Sequence, residues 1–118
     1  MTVGDICDKL NLKPLSGEVG LEREVNGAYI CDLLSWVMAH AQKGDAWITI
    51  QSHSNIVAVA SLLELSCIII CEGAEVEDET IKKSASEEIP ILSSNKSSFE
   101  LAKGMVNLGL GNEYEICS

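Results

Sequence analysis

The stretch GDAWITIQSHSNIVAVASLLELSCIIICEG, residues 44–73, decides the fold of this chain. It reads as a strand over 46–51, a polar turn, a helix over 55–65 and a buried strand over 67–71. A strand, a helix and a strand in that order form a parallel pair joined by a crossover helix. The polar turn over 52–55 then falls at the carboxyl end of a strand, where open α/β sheets bind their ligands.

The same alternation continues on both sides of this stretch. Apolar periodicity predicts strands over 24–31 and 89–92, and helices over 32–43, 75–88 and 97–108, after a short first helix capped by Thr2 and Asp5. The inner faces of the last two helices are predicted to carry Ile81, Ala85, Ile89, Phe99, Ala102, Met105 and Val106. We therefore expect residues 1–110 to form a single α/β domain, a mostly parallel central β-sheet flanked by α-helices, and residues 111–118 to form a flexible C-terminal tail.

The composition argues against several classes of partner. The 118 residues carry 18 acidic and 8 basic side chains, and the formal net charge of -10 argues against nucleic acids and anionic membranes. No secretory signal opens the sequence and no apolar run approaches the ~20 residues of a membrane span, so we expect a cytoplasmic protein. The five cysteines lack zinc-binding spacing, which predicts packed thiols and neither a metal nor a cofactor.

Two predicted helices carry more apolar surface than a small monomer needs. The helix over 55–65 has few polar residues, and the helix over 32–43 carries apolar residues around more than one face. An amphipathic helix requires an apolar stripe only ~100° wide. A second copy of the chain would cover the excess, and we therefore expect a homodimer.

Polar residues at the predicted strand ends form the candidate ligand-binding site, which consists of Asp32, Gln51, His53, Ser54 and Asn55. The turn precedes a helix start, whose free backbone N–H groups favour a small anion, with His53 as a donor or proton carrier. Helix capping is the alternative role for Ser54 and Asn55, and also for Asp32. The sequence has no nucleophile elbow, P-loop or dinucleotide-binding motif, so we expect no enzyme activity and no catalytic residue.

Three strings in the sequence carry a family resemblance. GAYICDLLSWVMAHA (27–41), GDAWITIQSHSNIVAVA (44–60) and IPILSSNKSSFELA (89–102) resemble the small stand-alone DRTGG-domain proteins. Those proteins are similar in turn to the N-terminal domain of bacterial HPr kinase/phosphorylase. The resemblance implies a regulatory α/β domain that is often dimeric, and it does not imply kinase activity because the P-loop domain of that kinase is absent. The Asp-Arg-Thr-Gly-Gly string itself is also absent from this chain.

Taken together, these patterns predict a non-catalytic, homodimeric regulatory module that binds a small anionic ligand at residues 51–55. The resemblance implies an alternative, an accessory subunit of a hydrogenase or electron-transfer assembly, whose apolar helices would bind a redox protein partner. A third hypothesis is a small enzyme that uses His53 and Asp32 for proton transfer. It requires the two side chains within hydrogen-bond reach, directly or through one water.

Overall fold

Residues 1–110, the part of the chain that the computed structural model describes, form five strands and five helices, which alternate from β2 onward. The strands are β1 (Lys13–Pro14), β2 (Gly27–Ile30), β3 (Asp45–Thr49), β4 (Cys67–Ile70) and β5 (Ile91–Ser93). The helices are α1 (Val3–Leu10), α2 (Leu34–His40), α3 (Asn55–Leu63), α4 (Asp78–Glu87) and α5 (Ser98–Asn107). The tail predicted over 111–118 lies outside the described residues.

The strands form one sheet in the order β1-β5-β4-β3-β2. Strands β2 to β5 are parallel, and β1 pairs antiparallel with β5 at one edge. In the register of the parallel strands, Ala28 lies beside Ala46 and Ala46 lies beside Cys67. The mostly parallel sheet predicted from the alternation of strands and helices is therefore confirmed, and every carboxyl end from β2 to β5 opens on the same side.

Helices cover both faces of the sheet. The face that carries Ala46 and Ile48 packs against α1 and α5, whereas the face that carries Trp47 packs against α2 and α3, with α4 beside α3. Every residue of β3 and β4 is buried. Burying one aliphatic side chain of this size contributes about 1.5–3 kcal/mol. The continuous apolar runs of these two strands therefore place them at the centre of a three-layer domain.

The first helix begins with the predicted capping box. The Thr2 side chain accepts a hydrogen bond from the backbone N–H of Asp5, and the Asp5 carboxylate accepts one from the N–H of Thr2. The last helix uses the same arrangement, with Ser97 and Glu100. These reciprocal bonds satisfy two donors that a helix start otherwise leaves free.

The predicted capping role of Asp32 is wrong. Leu33 precedes α2, and the start of this helix has no side-chain capping bond. The reason is that the Asp32 carboxylate bonds to the end of β3. Helix α2 spans Leu34–His40 and is shorter than the predicted span of 32–43 at both ends.

The predicted inner faces of α4 and α5 are also partly wrong. Helix α4 buries Thr80 and Ser84, because their hydroxyls find backbone carbonyl acceptors. Helix α5 buries Leu101 and Met105 against the sheet and α1, which turns Phe99 and Val106 outward.

The structure covers the apolar surface of α3 more fully than that of α2, the two helices whose sequences predicted a need for a partner. Helix α3 lies between α2 and α4, and its buried face is covered within one chain. Helix α2 has no described neighbour on its outer side, and large apolar side chains remain exposed along it, namely Leu33, Trp36 and Met38. Within residues 1–110, large apolar side chains therefore remain exposed on α2 and α5, and also at Ile30, Ile50 and Leu62.

Candidate functional site

Asp32 connects the loops that follow β2 and β3. Its Oδ1 accepts a hydrogen bond from the Thr49 hydroxyl at 2.7 Å and another from the backbone N–H of Ile50 at 3.0 Å. The Gln51 side-chain amide donates to the backbone oxygen of Asp32 at 2.8 Å. Hydrogen bonds to an ionised carboxylate are stronger than those between neutral groups. Two of the five predicted site residues, Asp32 and Gln51, therefore meet at the carboxyl edge of the sheet.

The His53 side chain bonds to the backbone at the start of α3. Its Nδ1 accepts a hydrogen bond from the backbone N–H of Asn55 at 3.2 Å, which assigns the proton of the neutral ring to Nε2. Ser54 occupies the N-cap position, but its hydroxyl makes no capping bond. The capping function expected of the Ser54 and Asn55 side chains therefore belongs to the imidazole.

The backbone at the start of α3 has few free donors. The N–H of Ile56 bonds to the carbonyl of His53, and the N–H of Val57 bonds to the carbonyl of Ser54. With the N–H of Asn55 also bonded, an incoming anion would meet side-chain donors in place of backbone ones.

Those side-chain donors are uncommitted. The hydroxyls of Ser52 and Ser54, the amide of Asn55 and the Nε2 of His53 form no hydrogen bond to any residue from 1 to 110. The turn is anchored at its back, where the Thr80 hydroxyl donates to the backbone oxygen of Ser52 at 2.7 Å. The polar turn is thus held in place by α4, with His53 and Asn55 exposed and Ser52 and Ser54 half-buried.

The proposed acid–base pair has no direct contact in this structure. Asp32 directs its carboxylate to Thr49 and Ile50, and His53 directs Nδ1 to Asn55. No hydrogen bond within residues 1–110 joins the two side chains. The arrangement supports helix capping and loop anchoring, and it supplies no direct route for proton transfer between them.

A cleft of about 480 Å³ opens beside Asp32 at the same edge of the sheet. We call it the strand-end cleft, and its polar lining consists of Asp32, Thr49, Cys71, Glu72 and Ser98. Of the predicted site residues, only Asp32 lines it. Two carboxylates and no basic side chain form this lining, so the cleft favours a neutral or cationic group, unlike the turn.

The sequence pattern held a weaker signal for the other cleft residues. Thr49 is the polar end of an apolar strand, Glu72 follows the next strand and Ser98 begins α5. Burial raises the pKa of the Cys71 thiol, and its Sγ donates to the backbone oxygen of Thr49 at 3.7 Å. The group that faces the cleft is therefore a protonated thiol, which is a poor nucleophile.

Residues 1–110 contain neither a metal-binding cluster nor a membrane-spanning helix. No group of three or more His, Cys, Asp or Glu side chains is arranged to hold a metal ion within this range. None of the helices in this range has the length and apolar character that crossing a bilayer requires.

Comparisons with known proteins agree with the architecture. The family model of the DRTGG domain matches residues 5–108. The fold is similar to a crystal structure of the CBS and DRTGG domains of the regulatory region of Clostridium perfringens pyrophosphatase, complexed with its activator diadenosine tetraphosphate. The TM-score is 0.66 at 17% sequence identity, and the match covers 89% of this chain and 46% of that chain.

A comparison with curated proteins finds no match. The structural likeness, at its low sequence identity, establishes the fold, and this chain spans less than half of the pyrophosphatase regulatory region. The family model, by contrast, covers the sequence from the first helix to the end of α5. As the three sequence strings indicated, the chain belongs to the DRTGG domain family.

Proposed function

We propose that this DRTGG domain is a non-catalytic, homodimeric regulatory module that binds a small anionic ligand at residues 51–55. The observation that carries the proposal is the set of uncommitted donors on Ser52, His53, Ser54 and Asn55, four consecutive residues at the carboxyl end of β3. Ligands of open α/β sheets bind at this edge. The pyrophosphatase region of similar fold was crystallised with a nucleotide activator, which supports the same class of ligand here.

Each residue of the proposed site has a defined part. The imidazole Nε2–H, the two hydroxyls and the Asn55 amide donate hydrogen bonds to the anion. Gln51 and Asp32 position the turn through the bond between the Gln51 amide and the Asp32 backbone oxygen. Asp32 also fixes the backbone at Ile50. The ligand thus binds to a turn whose geometry is set before binding, which reduces the entropy lost on association.

Titration of the full chain tests this site. The probes are inorganic phosphate, ATP and diadenosine tetraphosphate, followed by calorimetry and by thermal unfolding. A ligand at a hundred times its dissociation constant stabilises the folded state by about 2.7 kcal/mol, a shift of several degrees in Tm. No binding of any probe to the wild type contradicts the proposed ligand class.

Three variants separate the ligand contacts from the fold. His53→Asn keeps an acceptor for the N–H of Asn55 and removes the Nε2 donor, and Asn55→Ala removes an amide that bonds to no described residue. Each should weaken binding about tenfold, or ~1.4 kcal/mol. Ser61→Ala, at an exposed position farther along α3, is the matched control and should bind like the wild type. Equal affinity in all four proteins contradicts the site.

An interaction subunit of an electron-transfer assembly is the second candidate. It is favoured by the apolar side chains that remain exposed on α2 and α5, among them Trp36 and Phe99. Light scattering of the purified chain distinguishes the two: a monomer leaves this surface for another protein, and a homodimer covers it with a second copy. We favour the homodimer, for reasons that follow from the sheet edge.

A further inference from the structure

The two edges of the sheet differ in their ability to accept another strand. β1 is two residues long and exposed, and it contains Lys13 and Pro14. A short strand with lysine and proline is a feature that blocks edge pairing. β2, at the other edge, has four residues with neither lysine nor proline. No strand within residues 1–110 pairs with its outer side.

Hydrogen bonding inside the sheet determines which groups of β2 point outward. The carbonyls of Asp45 and Thr49 accept bonds from β4 or its flanks, so odd-numbered residues of β3 face β4. The N–H of Cys31 donates to the carbonyl of Ile48, which faces β2. Alternate residues of a strand bond to the same side. The N–H and C=O groups of Ala28 and Ile30 therefore point away from the sheet.

A groove runs along this free edge. It has a volume of about 570 Å³, and we call it the β2 groove. Ala28 and Ile30 line it from the strand, and Ala102 and Val106 line it from α5. The two α5 residues are four apart, so they lie on one side of the helix. The groove is thus apolar along its middle and bounded by a strand with free hydrogen-bonding groups.

We propose that a second copy of this chain binds along the β2 groove, with its own β2 antiparallel to the first, so that one sheet of ten strands crosses the dimer. The proposal deepens the homodimer of the proposed function and does not depend on the identity of its ligand. Since outward groups sit on residues 28 and 30, the pairing with most bonds places Ala28 opposite the second copy's Ile30. Four hydrogen bonds then join the chains, with Tyr29 on the two-fold axis.

Side-chain size fits this register. Each Ile30, which is 46% exposed, would lie across from the second copy's small Ala28, above the groove between Ala28 and α5. A large side chain opposite a small one gives the shape complementarity that well-packed interfaces require. A strand from an unrelated protein would need the same alternation by coincidence, whereas a second copy supplies it by symmetry.

The exposed apolar area beside the edge is large enough for a dimer. Trp36 stacks on His40 with ring centroids 4.2 Å apart, which places it at the rim of the groove. The large side chains around the edge are Ile30 at 46%, Trp36 at 53%, Leu33 at 62%, Val106 at 63% and Phe99 at 78% exposure. Together they leave on the order of 600 Å² uncovered, most of the ~800 Å² per partner of a standard interface.

Proline at position 28 tests the edge directly. The outward N–H of Ala28 makes no bond within the sheet, so Ala28→Pro removes an intermolecular donor and keeps the fold. Ala28→Ser retains the N–H and is the matched control. We expect light scattering to give a dimer for the wild type and for Ala28→Ser, and a folded monomer for Ala28→Pro. A dimer that survives Ala28→Pro with native circular dichroism overturns the interface.

A charge pair tests the register and covers the case in which the proline variant does not fold. Ala28→Lys and Ile30→Glu should each weaken the dimer at least tenfold. An equal mixture of the two should restore a one-to-one dimer, because the lysine of one chain lies opposite the glutamate of the other. A mixture that stays monomeric contradicts the register. A monomeric wild type removes the homodimer while leaving ligand binding at residues 51–55 to be judged by its own titration.

Discussion

Truncation of Asp32 should destabilise the domain through the end of β3. The carboxylate accepts one bond from the Thr49 hydroxyl and one from the N–H of Ile50, at 2.7 and 3.0 Å. A buried hydrogen bond to a charged group contributes about 1.5–3 kcal/mol to the free energy of unfolding, and a hydrogen bond between neutral groups contributes about 1 kcal/mol. Asp32 is exposed, so water replaces part of what is lost. We expect Asp32→Ala to lower the free energy of unfolding by about 2 kcal/mol.

A double-mutant cycle isolates the bond to the buried Thr49 hydroxyl. Thr49→Val removes the donor, and it also removes the acceptor of the Gln51 N–H at 3.1 Å. If Asp32 and Thr49 act through their shared bond, the double variant should be about 1 kcal/mol more stable than the sum of the single losses predicts. Asp32→Asn retains an acceptor oxygen and should lose less than half as much as the alanine variant.

Urea unfolding of the five proteins, followed by circular dichroism, measures these values. An interaction energy below ~0.3 kcal/mol would show that the two residues stabilise the domain independently. A loss below ~0.5 kcal/mol for Asp32→Ala would refute the view that this carboxylate holds the loops after β2 and β3 together.

Three further predictions concern other parts of the domain. Burial raises the pKa of the Asp45 carboxyl above its usual value of 3.8, so ionisation of this group lowers the free energy of unfolding at neutral pH. Asp45→Asn should therefore raise the free energy of unfolding at pH 7, and urea titrations should show this gain disappearing as the pH falls toward 3.8. Gly20→Ala places a Cβ 2.9 Å from a backbone oxygen at φ +69 and should lose over ~2 kcal/mol, whereas Gly17→Ala, in open space, should lose ~1. Burial raises the pKa of Cys67 to about 12, so alkylation followed by mass spectrometry should label it only after denaturation.

The fold could be predicted because its determinants are local. Strands β3 and β4 are largely continuous apolar runs, and α1 begins with a capping box that the sequence shows. The face that α5 buries could not be predicted. Phe99 and Val106 are as apolar as Leu101 and Met105, and only the position of α1 against α5 decides which pair is covered.

The position of the candidate site could be predicted from the sequence, but its hydrogen bonds could not. The strand-end rule locates residues 32 and 51–55 at one edge, which the parallel register of β2 and β3 satisfies. It does not reveal that Asp32 bonds across to Thr49 in preference to capping its own helix. Nor does it reveal that the His53 ring accepts a hydrogen bond from the backbone N–H of Asn55 at the start of α3. Both outcomes depend on distances between loops that are far apart in the sequence.

The placement of β1 and α1 has a consequence for how the chain folds over time. β1 pairs with β5, and α1 packs against α5, so part of the contacts of residues 3–14 are made with residues 91–107. During synthesis the apolar side chains of α1, such as Val3 and Ile6, emerge before the strands that they pack against, and α5 follows only at the end of the domain. Loop closure over this separation is slow compared with the formation of the βαβ units between them. A nascent chain that stalls after β4 therefore exposes an uncovered sheet face, and chaperones are the natural protection at that stage.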